Sequence, residues 1–239
     1  MKRSDIENAI RTAQEVCRHF QFALPPYAQW TREEWRTKGP EWDEVRDGML
    51  GWDVTDFGSG RFEEIGRVLF TLRNGRSNDP RYPKPYAEKL LIDPENQRAP
   101  AHFHRSKRED IICRHGGNIL VQLTKATSDA DWSDERFVIA VNGCQRELGP
   151  REIVRLSPGE SLTIPPGTIH QFWAEEGTGW VWEGQRYSLS SEISSVCDDW
   201  NDNVFFDEWA ARFPTITEDV PATRFLCSEY PRAAGSLST

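Results

Sequence analysis

Histidine is scarce in this chain, five in 239 residues, and two of the five stand one residue apart in the stretch PAHFHRSKREDIICRHGGN. On an extended strand side chains alternate, so His102 and His104 place both imidazoles on one face. Glu109 follows five residues after His104, and Gly116 seven after that. A second stretch, PGESLTIPPGTIHQFW, sets Gly159, Pro165, Gly167 and His170 in order. Proline fixes φ and glycine tolerates positive φ, which suits a tight turn before a strand carrying His170. Three histidines and a carboxylate combine imidazole nitrogen with a hard oxygen, a competent ligand set for a divalent first-row metal. An HxH pair alone is often just two polar residues on a solvated face. Here Glu109 and His170 join it at fixed spacing, and metal ligation is the reading. His115 adjoins a Gly-Gly turn and reads as exposed, and His19 as solvated or capping a helix end.

These side chains need strands to carry them. The first twenty residues read as a helix, with Ser4 and Glu7 at capping-box spacing and a stripe of Ile6, Ile10, Ala13, Val16 and Phe20. Pro25-Pro26 breaks the pattern, and Thr31 with Glu34 caps a short helix through Arg36. From Asp47 onward short aromatic or branched runs are separated by glycines, the mark of strands and turns. Expected strands are 86–93, 111–112, 117–124, 136–141, 153–156, 161–164, 168–173 and 179–182, with an irregular proline-rich loop over 77–85. So many short strands predict an all-β sandwich or barrel. Phe206, Trp209, Ala210 and Phe213 share a helical face, which predicts one more short helix over 203–213. We expect a single domain over 1–231, with N-terminal helices to about residue 45 and a frayed tail over 232–239.

Composition narrows the function classes. Lys and Arg total 29 against 38 Asp and Glu, a net charge of −9, which disfavours nucleic-acid backbones as the main partner. No apolar run approaches the roughly 18 residues of a membrane span, and the N-terminus turns acidic where a signal peptide would be apolar. Five dispersed cysteines without a CxxC pair read as free thiols in a reducing cytoplasm.

The two histidine stretches resemble the paired motifs of the cupin superfamily. His102-Phe103-His104, Glu109 and Gly116 match the first motif, and Gly159, Pro165, Gly167 and His170 the second, at every spacing. Asn96 stands where the first motif opens on glycine, and Ala174 where the second closes on asparagine. A wider resemblance runs from Met1 to about Pro231. YAEKLLI, HFHRSKREDII, GGNILVQL and SEISSVCDDWNDNVFF look like the D-lyxose isomerase family. That resemblance implies a cupin (double-stranded β-helix, jelly-roll) barrel with an N-terminal helical elaboration. It also implies a manganese-dependent, homodimeric aldose–ketose isomerase, interconverting D-lyxose with D-xylulose and often D-mannose with D-fructose.

Moving a carbonyl between C1 and C2 takes a proton from one carbon and returns it to its neighbour, so the site needs a base and a group to move oxygen-bound protons. Lys107, between the ligands His104 and Glu109, and Glu192, on a presumed barrel strand, are the candidates. Lys89 is a candidate sugar contact, with Glu88 on the opposite face. Asp199 and Asp202 read as turn formers, and Asp202 is retained as a substrate contact. Phe103 and Trp173 have the wrong parity for the metal face and read as packing, as do most of the tryptophans. An iron-dependent cupin dioxygenase would use the same ligands, and a phosphosugar isomerase or a sugar-binding cupin are further alternatives. No glycine-rich phosphate nest is evident, and a lysine with a carboxylate beside the ligands favours proton transfer.

Overall fold

The computed structural model describes residues 1–233, so the expected tail lies, beyond Ala233, outside the described residues. Helices α1 (Arg3–His19), α2 (Arg32–Arg36) and α3 (Asp43–Asp47) precede fourteen strands. These are β1 (Gly51–Thr55), β2 (Arg67–Asn74), β3 (Tyr86–Pro94), β4 (His102–His104), β5 (Glu109–His115), β6 (Ile119–Lys125) and β7 (Phe137–Val141). They continue with β8 (Cys144–Leu148), β9 (Glu152–Leu156), β10 (Ser161–Ile164), β11 (Thr168–Ala174), β12 (Trp180–Trp182), β13 (Gln185–Ser195) and β14 (Asn203–Phe205).

Two antiparallel sheets face one another. The larger runs β1-β2-β3-β13-β5-β10-β7-β8, with β12 paired to β13, and the smaller runs β14-β4-β11-β6-β9. Between them Leu69, Leu91, Ile111, Val121, Leu123, Leu162 and Phe172 form one buried cluster. A second cluster lies outside the larger sheet, where α1 presents Ile6, Ile10, Ala13 and Val16 to Trp52, Phe70, Leu90 and Ile92. Strand β3 therefore serves both clusters by parity: Leu90 and Ile92 meet the helices, while Leu91 looks into the barrel. That parity also turns Lys89 and Asp93 inward, both buried.

The two departures from the cupin pattern meet each other. Asn96 adopts φ 66, a conformation asparagine tolerates better than most residues, and its N–H donates to Ala174 O at 3.0 Å. Gly167 supplies the positive φ of the turn before β11, and its N–H donates to His104 O at 2.9 Å.

Three expectations are corrected. Ser4 and Glu7 do not cap α1: Lys2 holds that position, while the Ser4 hydroxyl binds Asp219 at 2.7 Å and Glu7 takes the Thr223 N–H at 2.8 Å. The returning C-terminal segment offers those side chains partners that a local reading cannot contain. No helix forms over 203–213. Its first residues extend as β14, Phe206 packs on Trp132 at 5.0 Å, Phe213 on Trp200 at 4.4 Å, and Trp209 is exposed. The apolar residues thus go to separate neighbours, not to one face. Strand β8 and the first half of β13 were also not expected from the pattern. One is an exposed edge and the other is rich in serine, and neither shows apolar alternation.

Candidate metal centre and active site

The site lies between the sheets, and each sheet supplies a different chemistry. The smaller sheet brings the imidazoles. His102 and His104 share the inward face of β4, and Phe103 between them is buried on the other side, near Phe206. His170 on β11 pairs directly opposite His102. The three rings offer nitrogen atoms within 4.8 Å of one another. His102 Nδ1 lies 2.9 Å from Pro100 O, and His170 Nδ1 lies 3.0 Å from Thr168 O. A carbonyl oxygen can only accept, so both rings carry a proton on Nδ1, which turns Nε2 toward the centre as the nitrogen that can bind a metal. Burial, reinforced by the neighbouring imidazoles, pushes the His102 pKa well below the usual histidine range. Burial and the Lys107 ammonium also lower that of His104, so both rings stay neutral, the form that binds metals.

The larger sheet brings the charges. Glu109 opens β5 with Oε1 at 2.9 Å from His170 Nε2 and 3.6 Å from His104 Nε2. Oε1 is buried without a hydrogen-bond partner. A buried carboxylate oxygen without a hydrogen-bond partner, facing two imidazole nitrogens, is an arrangement that a cation between them would satisfy. The donor set therefore fits a divalent metal on its own chemistry. Glu109 Oε2 binds Lys107 Nζ at 2.7 Å, and Lys107 Nζ binds Glu192 Oε1 at 2.8 Å. Burial opposes charge on all three. The attraction between Lys107 and the carboxylates prevails, raising the Lys107 pKa and lowering those of Glu109 and Glu192. The Ser194 hydroxyl also donates to Glu192 Oε1, at 2.8 Å.

A buried chain of charges continues from there. Glu192 pairs across the sheet with Lys89, whose Nζ reaches Cys197 Sγ at 2.8 Å and Asp199 at 3.3 Å. Arg212 bridges Asp199, at 3.1 Å, and Asp53. Burial would neutralise Asp199, but Arg212 and Lys89 hold its carboxyl well below the usual range. On the other side Arg67 binds Asp93 at 2.7 Å and lies over the Phe172 ring at 4.2 Å.

The cavity is lined by His102, His104, Glu109, His170, Lys107 and Glu192, with Lys89, Arg67, Asp199, Arg212 and Asn203 around them. Its aromatic walls are Phe57, Phe172 and Phe205, and no tryptophan lines it among the described residues. Seven of the eight expected site residues, the four ligands with Lys107, Glu192 and Lys89, thus line one cavity, and Asp202 is not among its lining residues. It lies behind the wall, accepting from Ser106 N at 2.8 Å, Ser106 Oγ at 2.7 Å and Lys107 N at 3.1 Å. Sequence reading missed Arg67, Asp93, Arg212 and Asp53. No spacing pattern marks them, and only the register β2-β3-β13 and the chain's return at Arg212 bring them in. His19 and His115 lie at the surface, stacked on Trp180 and Phe20 at 4.0 and 5.5 Å. No helix of the described residues is long and apolar enough to cross a membrane.

Fold and site together define a cupin barrel with a histidine–carboxylate centre buried between its sheets. Within that class the chain belongs to the D-lyxose isomerase family, whose model matches residues 1–230. It is 42% identical over 231 residues to a D-lyxose/D-mannose isomerase of Escherichia coli O157:H7, covering 96% of this chain and 98% of that protein. It is 40% identical over 233 residues to the D-lyxose/D-mannose isomerase of Serratia proteamaculans, covering 97% and 99%. Among solved structures the L-ribose isomerase of Geodermatophilus obscurus superposes with a TM-score of 0.58, covering 91% of this chain and 98% of that one, at 14% identity. That last likeness concerns the fold alone.

Proposed function

We propose that this protein interconverts unphosphorylated aldoses and ketoses, D-lyxose with D-xylulose and D-mannose with D-fructose, using manganese held by His102, His104, Glu109 and His170. The observation that carries the reading is the Glu109–Lys107–Glu192 triad set directly against three clustered imidazoles. When bound, the divalent ion supplies a Lewis acid for the negative charge that develops on the C1 and C2 oxygens. Glu192 is ionised and takes both its hydrogen bonds on Oε1, so it is suited to remove the proton from C2 of the aldose and return it to C1. The resulting enediolate needs its hydroxyl proton moved from O2 to O1. Lys107, charged at rest between its two carboxylates, is the group to give a proton to O1 and take the O2 proton in exchange. Lys89, locked to Asp199, presents a fixed positive charge at the cavity wall for sugar hydroxyls, and the phenylalanine walls suit apolar C–H faces. A cytoplasmic homodimer built from one domain over 1–231 belongs to the same reading, supported by the family resemblance.

The test is anaerobic turnover of D-lyxose and D-mannose with manganese in deuterated water. Ketose formation with deuterium at C1 or C2, lost on chelation and restored by manganese, is the expected result. An absolute requirement for oxygen, or ketose formed without dependence on any divalent ion, would refute it.

A further inference from the structure

The His104 ring is held unlike its two companions. His102 and His170 each direct Nδ1 at the carbonyl two residues upstream. His104 Nδ1 is buried with no hydrogen-bond partner, and 3.5 Å from it lies Asp202 Oδ2. Asp202 is only 9% exposed. Its Oδ1 takes both donors of Ser106, and its Oδ2 takes the Lys107 N–H. Its own carbonyl accepts from Arg105 N at 3.1 Å, and the next residue, Asn203, pairs with His104 in the β14–β4 ladder. One carboxylate oxygen is therefore shared between the back of an imidazole and the main chain of Lys107.

We infer that Asp202 is a positioning residue that orients His104 and Lys107 together and does not contact the sugar. This rests on the metal-centre reading above. A carboxylate facing Nδ1–H fixes the tautomer and makes Nε2 a stronger donor to a metal. The same residue clamps the 105–107 segment, through both carboxylate oxygens and its carbonyl, which sets where the lysine side chain leaves the backbone. Metal affinity and proton transfer thus share one anchor.

The test compares wild type with Asp202→Asn. Manganese affinity, titrated into metal-free protein, is expected to fall by about 10–100-fold. At saturating manganese, kcat is expected to stay at least about tenfold below wild type while the sugar KM holds within about twofold. Unchanged manganese affinity, full recovery of kcat at saturating manganese, or a raised KM with normal kcat would each overturn the inference. A wild type that binds no manganese refutes the metal centre itself, and the inference with it. Should the variant fail to fold, cadmium-loaded wild type labelled with 15N-histidine decides. His104 is expected to carry its proton on Nδ1, shifted downfield of those on His102 and His170 by the carboxylate acceptor. An unprotonated His104 Nδ1, or a proton indistinguishable from the other two, overturns it.

Discussion

A lysine buried between two carboxylates rests in its charged form, because losing its proton would leave two facing negative charges uncompensated. Lys107 sits so, 2.7 Å from Glu109 and 2.8 Å from Glu192. Replacing it with methionine keeps much of the volume and removes the proton donor. We expect Lys107→Met to lower kcat by about 10²–10⁴-fold, read from steady-state ketose formation at saturating manganese. At this scale the sequence was informative wherever chemistry is encoded by short spacing. His102, His104, Glu109 and His170 are set by strand parity and one Pro-Gly turn, and Lys107 falls between two of them. Asp202 was read as a sugar contact because its type suited one. Its carboxylate accepts from main-chain and hydroxyl donors whose direction no linear spacing reveals.

Strand β3 shows how one element can divide its duties between faces. Its odd residues Lys89 and Leu91 serve the cavity side, and Leu90 and Ile92 hold the N-terminal helices. Leu90 is fully buried, and truncating such a side chain leaves a cavity. Leu90→Ala should therefore cost about 2–5 kcal/mol, measured by urea denaturation, while the folded fraction keeps its KM. A large rise in KM would show that the two faces are not independent. Element reading from sequence succeeded where apolar alternation or a helical stripe was strong, as in β6, β11 and α1. It failed at 203–213, where residues at helical spacing turn out to satisfy different partners. It also missed β8 and the first half of β13, where exposure or buried serine replaces the expected apolar pattern.

At the scale of the whole molecule, Arg212 draws the C-terminal part of the chain onto the barrel by bridging Asp53 of β1 and Asp199 of the loop after β13. Removing one member of a buried ion network strands the others, so Arg212→Met should destabilise the fold by about 3–5 kcal/mol near neutral pH. The pH dependence has a definite sign. Asp199 has a depressed folded-state pKa, so its contribution is full above the ordinary carboxylate value of about 3.9 and fades as pH falls through the depressed value. The variant has less of this stability to lose. Its deficit against wild type should therefore narrow in acid, measured by denaturation at about pH 7 and about pH 3. A deficit that widens in acid would contradict the assignment.

The division of the site between two sheets has a further consequence. Imidazoles come from β4 and β11, while Glu109, Lys89 and Glu192 come from β5, β3 and β13. Neither leaf carries a working half, and the chemistry exists only at their alignment. A substitution far from the cavity that slides one leaf against the other by part of a bond length would act on turnover as directly as one at a ligand. Tolerance to mutation in this barrel should therefore follow the seam between the leaves, whatever the distance from the centre.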